Sequence, residues 1–186
     1  RLEFEIVNYT DKNFNMMIDI FFKQKENRYK STGALNNFSY PEVKNFYKNT
    51  TQLLGSNISI QFSVLKLNDQ VIATHWGAYN KISFYYLMPA YSSEWGKYSP
   101  GKILLEYLIK WSIKKNLSIF DFTIGSERYK KEWCEKETFL NDYYYANGLK
   151  GLIYFKIKLI KEYLRKITLF VKTFKLIRKF KNLLTK

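Results

Sequence analysis

The spacing of apolar residues changes from one period to another along the chain, and each period predicts an element. An apolar stretch at 3–9 predicts a short strand. Apolar residues then recur every three or four positions over 13–27, which predicts a helix. A second helix is predicted from Pro41, because proline suits the first turn of a helix, to Gly55, because glycine commonly follows its end.

Three apolar runs with strand-like periodicity follow, and two short polar turns separate them. Such an arrangement is typical of an antiparallel meander. The third run is predicted to end at Pro89, because proline cannot donate to a strand ladder. The runs and turns are, in order, 58–67, Asn68-Asp69, 71–79, Asn80-Lys81 and 82–88.

After the meander, the sequence predicts a strand–loop–helix–strand unit. A loop rich in tyrosine, serine and glycine at 90–101 leads into an amphipathic helix over 103–111 and a short apolar strand at 117–122. This order favours parallel pairing of the two strands through a right-handed crossover. A short helix at 127–134 and a tyrosine-rich strand at 138–146 follow. The predicted fold class is therefore α/β, with a mixed, mainly antiparallel sheet and flanking helices.

The C-terminal part of the chain differs from the rest in charge. Residues 150–186 hold 12 of the 31 lysines and arginines and one acid, Glu162, so they carry +11 of the formal +15. Apolar residues recur at a four-three spacing over 153–174 with basic residues opposite, which predicts one long basic amphipathic helix. We therefore divide the chain into a domain at 1–148 and a C-terminal helix at 149–186.

Three interpretations of this C-terminal helix remain open. Its apolar stripe docks on the domain or on a second copy of the chain, or its residues 150–186 lie on an anionic membrane surface. In the third, its basic residues contact nucleic-acid phosphates. Only docking and membrane insertion need the seven stacked apolar positions, so we expect no DNA partner.

Composition narrows the class of protein. The 46% of apolar and 19% of aromatic residues support a packed core and exclude a disordered chain. No uncharged run approaches the roughly 20 residues that a transmembrane helix needs. The single Cys134 and the single His75 exclude an internal disulfide and a Cys/His metal site, so no metal is expected and a cytoplasmic location is favoured. The first residue is Arg1 rather than methionine, so we allow for a missing N-terminal domain.

The loop at 95–102 is the first candidate for chemistry. A helix N-terminus offers unpaired backbone N–H groups and a partial positive charge, which suits a pyrophosphate. Lysines in this loop add positive charge, and glycines let the backbone approach an anion closely. The alternative is a plain helix cap at Ser99. The candidate donor-binding residues are Lys97, Tyr98, Ser99, Gly101 and Lys102.

A series of motifs in residues 98–133 carries a resemblance to a known family. In order they are Tyr98-Ser99-Pro100-Gly101, Leu104-Leu105, Trp111-Ser112, Phe120-Asp121-Phe122, Gly125 and Tyr129-Lys130-Lys131-Glu132-Trp133. With these motifs, the chain resembles GNAT-superfamily acetyltransferases of the CelD-like group, found with cellulose and exopolysaccharide biosynthesis, and the related Fem-type aminoacyltransferases. The resemblance implies a GNAT fold without a metal. It also implies transfer of an acyl group, from acetyl-CoA or another acyl-CoA, to an amine or hydroxyl of a cell-envelope sugar or peptide precursor.

The resemblance further implies roles for single residues. In Fem-type enzymes an aromatic–lysine pair lies at the reaction centre, where the lysine stabilises charge in the transition state, and Tyr129-Lys130 is the matching pair. We expect Lys130 to stabilise the oxyanion, and Asp121 or His75 to help remove the proton of the acceptor. The candidate acceptor-binding residues are Tyr129, Glu127 and Arg128.

Each of these residues also has a purely structural interpretation. Lys130 is alternatively a surface lysine in a basic run, and His75 is alternatively a satisfied core histidine. Asp121 is alternatively an acid paired with Arg128. Glu127 is alternatively the cap of the short helix.

Two rival functions accompany the acyl-CoA hypothesis. The first is aminoacyl transfer from aminoacyl-tRNA, which would use the same fold and Lys130 but ignore acetyl-CoA. The second is a non-catalytic domain on a degenerate GNAT scaffold that binds a membrane surface through residues 150–186. In each case we expect a cytoplasmic protein, with a peripheral location at the inner face of the membrane if the C-terminal helix binds lipid.

Overall fold

A computed structural model of the chain describes residues 1–52, 57–125 and 127–166. Five strands and five α-helices lie in these ranges, together with short 3₁₀ turns at Asn37–Ser39 and Ser93–Tyr98. The elements are β1 (Leu2–Ile6), α1 (Phe14–Thr32), α2 (Pro41–Thr50), β2 (Ser59–Leu67), β3 (Gln70–Tyr79), β4 (Ser83–Tyr91), α3 (Pro100–Lys114), β5 (Ile119–Asp121), α4 (Arg128–Lys131) and α5 (Gly148–Lys166).

The described residues form two compact units. The first contains residues 1–31 and 35–133, and therefore every strand of the sheet. The second contains residues 32–34 and the described residues from Cys134 to Lys166, including α5. No helix in the described ranges is long and apolar enough to cross a membrane.

The five strands form one mixed sheet in the order β1-β2-β3-β4-β5. The pairs from β1 to β4 are antiparallel, and β5 pairs with β4 in parallel. Two residues at the β2–β3 turn, Asn68 and Asp69, have φ values of 46° and 68°, the left-handed conformation of a tight hairpin turn. The sheet confirms the predicted fold class, including the meander and the parallel crossover.

Helices cover both faces of this sheet, because successive side chains of a strand point to opposite faces. On one face, the ring of Phe62 in β2 lies 6.2 Å from that of Phe14 and 6.0 Å from that of Phe21, both in α1. On the other face, the ring of Phe84 in β4 lies 5.8 Å from that of Trp111 in α3. The sheet is therefore covered by α1 on one face and by α3 on the other.

β4 contains a bulge opposite Gly77 of β3. Trp76 pairs with Met88 and Ala78 pairs with Tyr85, so β4 has one residue more than β3 across from Gly77. A bulge of this kind bends a strand and redirects its side chains. The bulge therefore changes the course of β4 immediately after its last pairing with β5.

β4 and β5 separate after three paired positions. Their last pair is Tyr85 with Asp121, whereas β4 continues to Tyr91. The prediction that this strand ends at Pro89 is wrong. Proline is tolerated there because β4 is an edge strand on the side of β5 beyond Tyr85, and an edge position needs no ladder donor. The separation leaves a gap between the two strands.

Two other sequence predictions differ from the structure. The segment 136–147 contains no strand, although three consecutive tyrosines at 143–145 favour one. Tyrosine suits a pleated, half-buried surface, but a strand also needs a neighbouring strand to pair with. The short helix is a single turn, Arg128–Lys131, rather than 127–134. The predicted end of α2 at Gly55 and the part of the C-terminal helix beyond Lys166 lie outside the described residues.

Candidate active site

A cavity of about 380 Å³ lies in the first unit, where β4 and the chain after β5 separate. One wall comes from β4 and the start of α3, and another comes from the segment between Thr123 and Lys130. α1 also contributes to the lining, through Lys25 and Arg28. The bulge and the separation of the strands thus open the sheet at this point.

The N-terminus of α3 forms one end of the cavity. Ser99 precedes the helix in a left-handed conformation, with φ 52° and ψ 48°. Its carbonyl oxygen accepts the backbone N–H groups of Lys102 at 2.9 Å and Ile103 at 3.3 Å, while its side chain makes no capping hydrogen bond. This backbone strain is not explained by side-chain capping, and strain of this kind is common at ligand sites.

Glycine keeps the backbone accessible at this end of the cavity. A Cβ atom at Gly101 would lie 3.4 Å from the ring of Tyr91, and one at Gly96 would lie 3.8 Å from the same ring. Both glycines line the cavity, as do Ser99 and Lys102. The Lys102 ammonium also forms an ion pair with Glu132 at 2.8 Å, with both side chains about half exposed.

Two of the predicted donor-binding residues lie elsewhere. Lys97 is exposed, with its Nζ 4.8 Å from the centre of the Tyr98 ring, and neither residue lines the cavity. Ser99, Gly101 and Lys102 are therefore the residues of this group that the structure brings together.

Lys130 is buried, with 8% of its surface exposed, and lines the cavity. Its Nζ donates to the carbonyl oxygen of Ile124 at 2.8 Å and forms an ion pair with Glu127 at 2.9 Å. Burial opposes ionisation of Glu127, but the hydrogen bond and the charge of Lys130 outweigh it and hold the pKa of this carboxyl below its ordinary value. An ammonium–carboxylate pair therefore faces the cavity.

Three further candidates from the sequence take different positions. Tyr129 lines the cavity, whereas the side chain of Arg128 is exposed and does not. Asp121 is also exposed and outside the lining, and its Oδ1 accepts the backbone N–H of Thr123 at 2.6 Å. Asp121 thus supports the turn that follows β5.

His75 is a fully buried residue of β3 and does not line the cavity. Its ring stacks on that of Tyr86 at 4.7 Å, and neither ring nitrogen has a hydrogen-bond partner among the described residues. Burial, with a smaller contribution from the charge of Lys25, lowers the pKa of the imidazole to about 3. The ring is therefore neutral at physiological pH.

The sequence of this unit decides its family. Residues 2–131 match the acetyltransferase (GNAT) domain family. The chain belongs to the GNAT acetyltransferase family. It is accordingly an acyltransferase, and GNAT acetyltransferases take the acyl group from acyl-CoA, generally acetyl-CoA.

Solved structures share the fold of this GNAT domain. A possible acetyltransferase from Clostridium difficile 630 is similar with a TM-score of 0.55 at 14% identity, over 77% of this chain and 99% of that one. An aminoglycoside acetyltransferase from an uncultured soil metagenomic sample, solved with sisomicin, has a TM-score of 0.54 at 14% identity, over 79% and 97% of the chains.

A GNAT family acetyltransferase from Staphylococcus aureus is similar with a TM-score of 0.52 at 15% identity, over 77% and 98% of the chains. At these identities the likeness shows the fold alone. None of the curated proteins matches the sequence of this GNAT domain.

Sequence reasoning missed two residues of α1 that line the cavity of the GNAT domain. Lys25 is buried, and its Nζ donates to the carbonyl oxygen of Pro89 at 3.3 Å. The other, Arg28, follows one helical turn later, with its guanidinium 5.8 Å from the centre of the Tyr91 ring. The sequence held a signal that Lys25 is buried, because Lys25 follows Phe21 by four positions and so lies on the apolar face of α1.

We predict that the imidazole of His75 does not titrate between pH 8 and about pH 4 in the folded GNAT domain, because burial lowers its pKa to about 3. In the unfolded chain the pKa of the same imidazole is about 6.5. Below about pH 6.5 the imidazole binds a proton in the unfolded chain but stays neutral in the folded domain. The free energy of unfolding therefore falls as the pH is lowered from about 6.5 toward 4. NMR of the single histidine ring measures the titration. A midpoint near the unfolded value in the folded domain would contradict it, and the urea-unfolded chain is the control.

Proposed function

We propose that the GNAT domain transfers an acyl group from acyl-CoA to an amine or hydroxyl of a cell-envelope sugar or peptide precursor. One observation carries the proposal: a single cavity contains both the N-terminus of α3 and the buried ammonium of Lys130. The resemblance of residues 98–133 to CelD-like acetyltransferases supports the class of acceptor.

The residues at the N-terminus of α3 fit the pyrophosphate of coenzyme A. The first amides of a helix lack partners within it and carry a partial positive charge. Two glycines, Gly96 and Gly101, leave the backbone bare toward the cavity, and Lys102 adds a cation beside it. The gap between β4 and the chain after β5 then leads toward Lys130.

Acetyl-CoA supplies an activated thioester carbonyl to such a site. The nitrogen or oxygen of the acceptor attacks the carbonyl carbon, the C–S bond breaks, and coenzyme A leaves as a thiolate, which then takes up one proton. Lys130 stabilises the negative charge that develops on the carbonyl oxygen, where a positioned donor is worth about 3 kcal/mol in a water-poor site. Glu127, which is ionised and faces the same cavity, accepts the proton of the acceptor.

A negative charge added at the helix N-terminus tests donor binding. In Gly101→Asp we expect the Kd for coenzyme A to rise at least about ten-fold, because a carboxylate at this position repels the pyrophosphate. The fold should be kept, since a Cβ atom here makes an ordinary contact with Tyr91 and an acid in the first turn stabilises a helix. Titration calorimetry measures the Kd.

Gly101→Ala is the matched control for this experiment, because it adds the same Cβ atom without a charge. Equal affinities of the two variants would contradict the placement of the pyrophosphate. If the wild-type domain binds no coenzyme A but reacts with aminoacyl-tRNA, the Fem-type rival replaces this proposal.

A further inference from the structure

Two cations of α1 enter the cavity from the face of the sheet opposite to α3. Lys25 and Arg28 lie one helical turn apart and both line the cavity. α1 packs on the face of the sheet that carries Phe62, whereas α3 packs on the face that carries Phe84. These cations therefore belong to a different helix from the N-terminus that fits the donor, although Arg28 and Gly101 both lie near the ring of Tyr91.

The ammonium of Lys25 has a sparse set of partners. Lys25 is 6% exposed. Its Nζ donates to the carbonyl oxygen of Pro89 and lies 5.4 Å from the centre of the Tyr29 ring. Within the described residues, no carboxylate lies at ion-pair distance from it. An ammonium has three donors, and a buried charge without a counter-charge is costly.

The cavity lining holds four cations, Lys25, Arg28, Lys102 and Lys130, and one carboxylate, Glu127, whose pKa the charge of Arg28 also helps to lower. Lys130 is paired with Glu127, and Lys102 is paired with Glu132. The charge of Arg28 adds to burial in lowering the pKa of Lys25 to about 8. An anion placed between these two cations would remove that repulsion.

We propose that Lys25 and Arg28 form a subsite for a carboxylate or phosphate group carried by the acceptor. The acceptor is then an acidic molecule, such as a phosphorylated or carboxylated amino sugar, whose amine or hydroxyl reaches the gap near Lys130. A guanidinium binds such an oxyanion with two parallel hydrogen bonds, and an ammonium adds a point charge. Assignment of the anion to the acceptor rests on the proposed function; the presence of the anion subsite does not.

The test uses inorganic phosphate and acetate as probes, titrated into the full chain with saturating coenzyme A. Coenzyme A occupies the donor end, so the remaining anion binding reports on the α1 side. In Lys25→Met and in Arg28→Gln we expect the Kd for the better of the two probes to rise at least about ten-fold. Lys23→Met is the matched control, because Lys23 is an exposed lysine on the same helix.

Two results would overturn the subsite. One is equal anion affinity of the wild type and both α1 variants. The other is a loss of coenzyme A affinity in Lys25→Met that parallels the loss of phosphate affinity, since these cations would then hold the phosphates of the donor. Arg28→Gln changes an exposed side chain and keeps the test decisive if Lys25→Met fails to fold.

Failure of the proposed function is seen separately. If the wild type binds no coenzyme A, the phosphate and acetate titrations are repeated in its absence. A loss of anion binding in Lys25→Met and Arg28→Gln, but not in Lys23→Met, then still supports the subsite.

Discussion

Lys130→Ala lowers the turnover number at least about ten-fold, because the variant lacks the ammonium that stabilises the developing oxyanion. Lys130 is 8% exposed, so water at this position does not stabilise the oxyanion as strongly as the ammonium does. Turnover is measured as release of the coenzyme A thiol at saturating acetyl-CoA and acceptor. The neighbouring Lys131→Ala is the matched control, because Lys131 is exposed and does not line the cavity.

A structural role of Lys130 must be separated from the catalytic one. Its hydrogen bond to the carbonyl oxygen of Ile124 and its ion pair with Glu127 also hold the segment after β5. Lys130→Met retains most of the packing but not the charge, so it should lose turnover as strongly as the alanine variant while unfolding at a temperature closer to that of the wild type. Unchanged turnover in Lys130→Ala would remove this lysine from the mechanism.

Gly77→Ala destabilises the domain by about 3 kcal/mol, since an added methyl group in a packed core forces its neighbours to move. A Cβ atom at Gly77 would lie 2.3 Å from Cε1 of His75 and 2.7 Å from the carbonyl oxygen of Tyr85. Neither can withdraw easily, because His75 is fully buried against Tyr86 and the other atom is backbone of β4. Denaturant unfolding measures the free energy.

The effect of Gly77→Ala should also reach the site, because Gly77 lies opposite the bulge that opens the gap after Tyr85. Gly96→Ala is the control, since a Cβ atom there lies no closer than 3.8 Å to a neighbour. It should change the free energy of unfolding by no more than about 0.5 kcal/mol. Equal stability of the two variants would show that β3 and β4 accommodate a side chain at Gly77.

Most of the fold was accessible from the sequence, because local patterns determine it. Period-two runs and the turn at Asn68-Asp69 predicted the meander, and the amphipathic helix after Pro100 predicted the crossover. The separation of β4 and β5 could not be predicted from the sequence. It depends on where a neighbouring strand stops pairing, which no pattern within β4 encodes.

The roles of the candidate site residues stay predictions, but the structure shows where these residues lie. The structure brings Ser99, Gly101, Lys102 and Lys130 to one cavity, as the loop pattern and the family resemblance implied. Lys25 was missed because a lysine on an apolar helix face is easily assigned to solvent when the covering element is unknown.

Two expected proton acceptors also depended on tertiary structure. Strand alternation shows that His75 and Asp121 each point to one face of the sheet, but not what covers that face. The cell-envelope acceptor and a membrane role of residues 150–186 remain predictions.

The central claim is that one cavity holds the donor's pyrophosphate at the start of α3 and directs its acyl group to Lys130. A crystal structure of the chain with coenzyme A tests it most directly. We expect the pyrophosphate within hydrogen-bond distance of the Gly101 amide, with the thiol in the gap between β4 and the segment after β5. A pyrophosphate bound elsewhere, or a thiol directed away from the ammonium of Lys130, would contradict it.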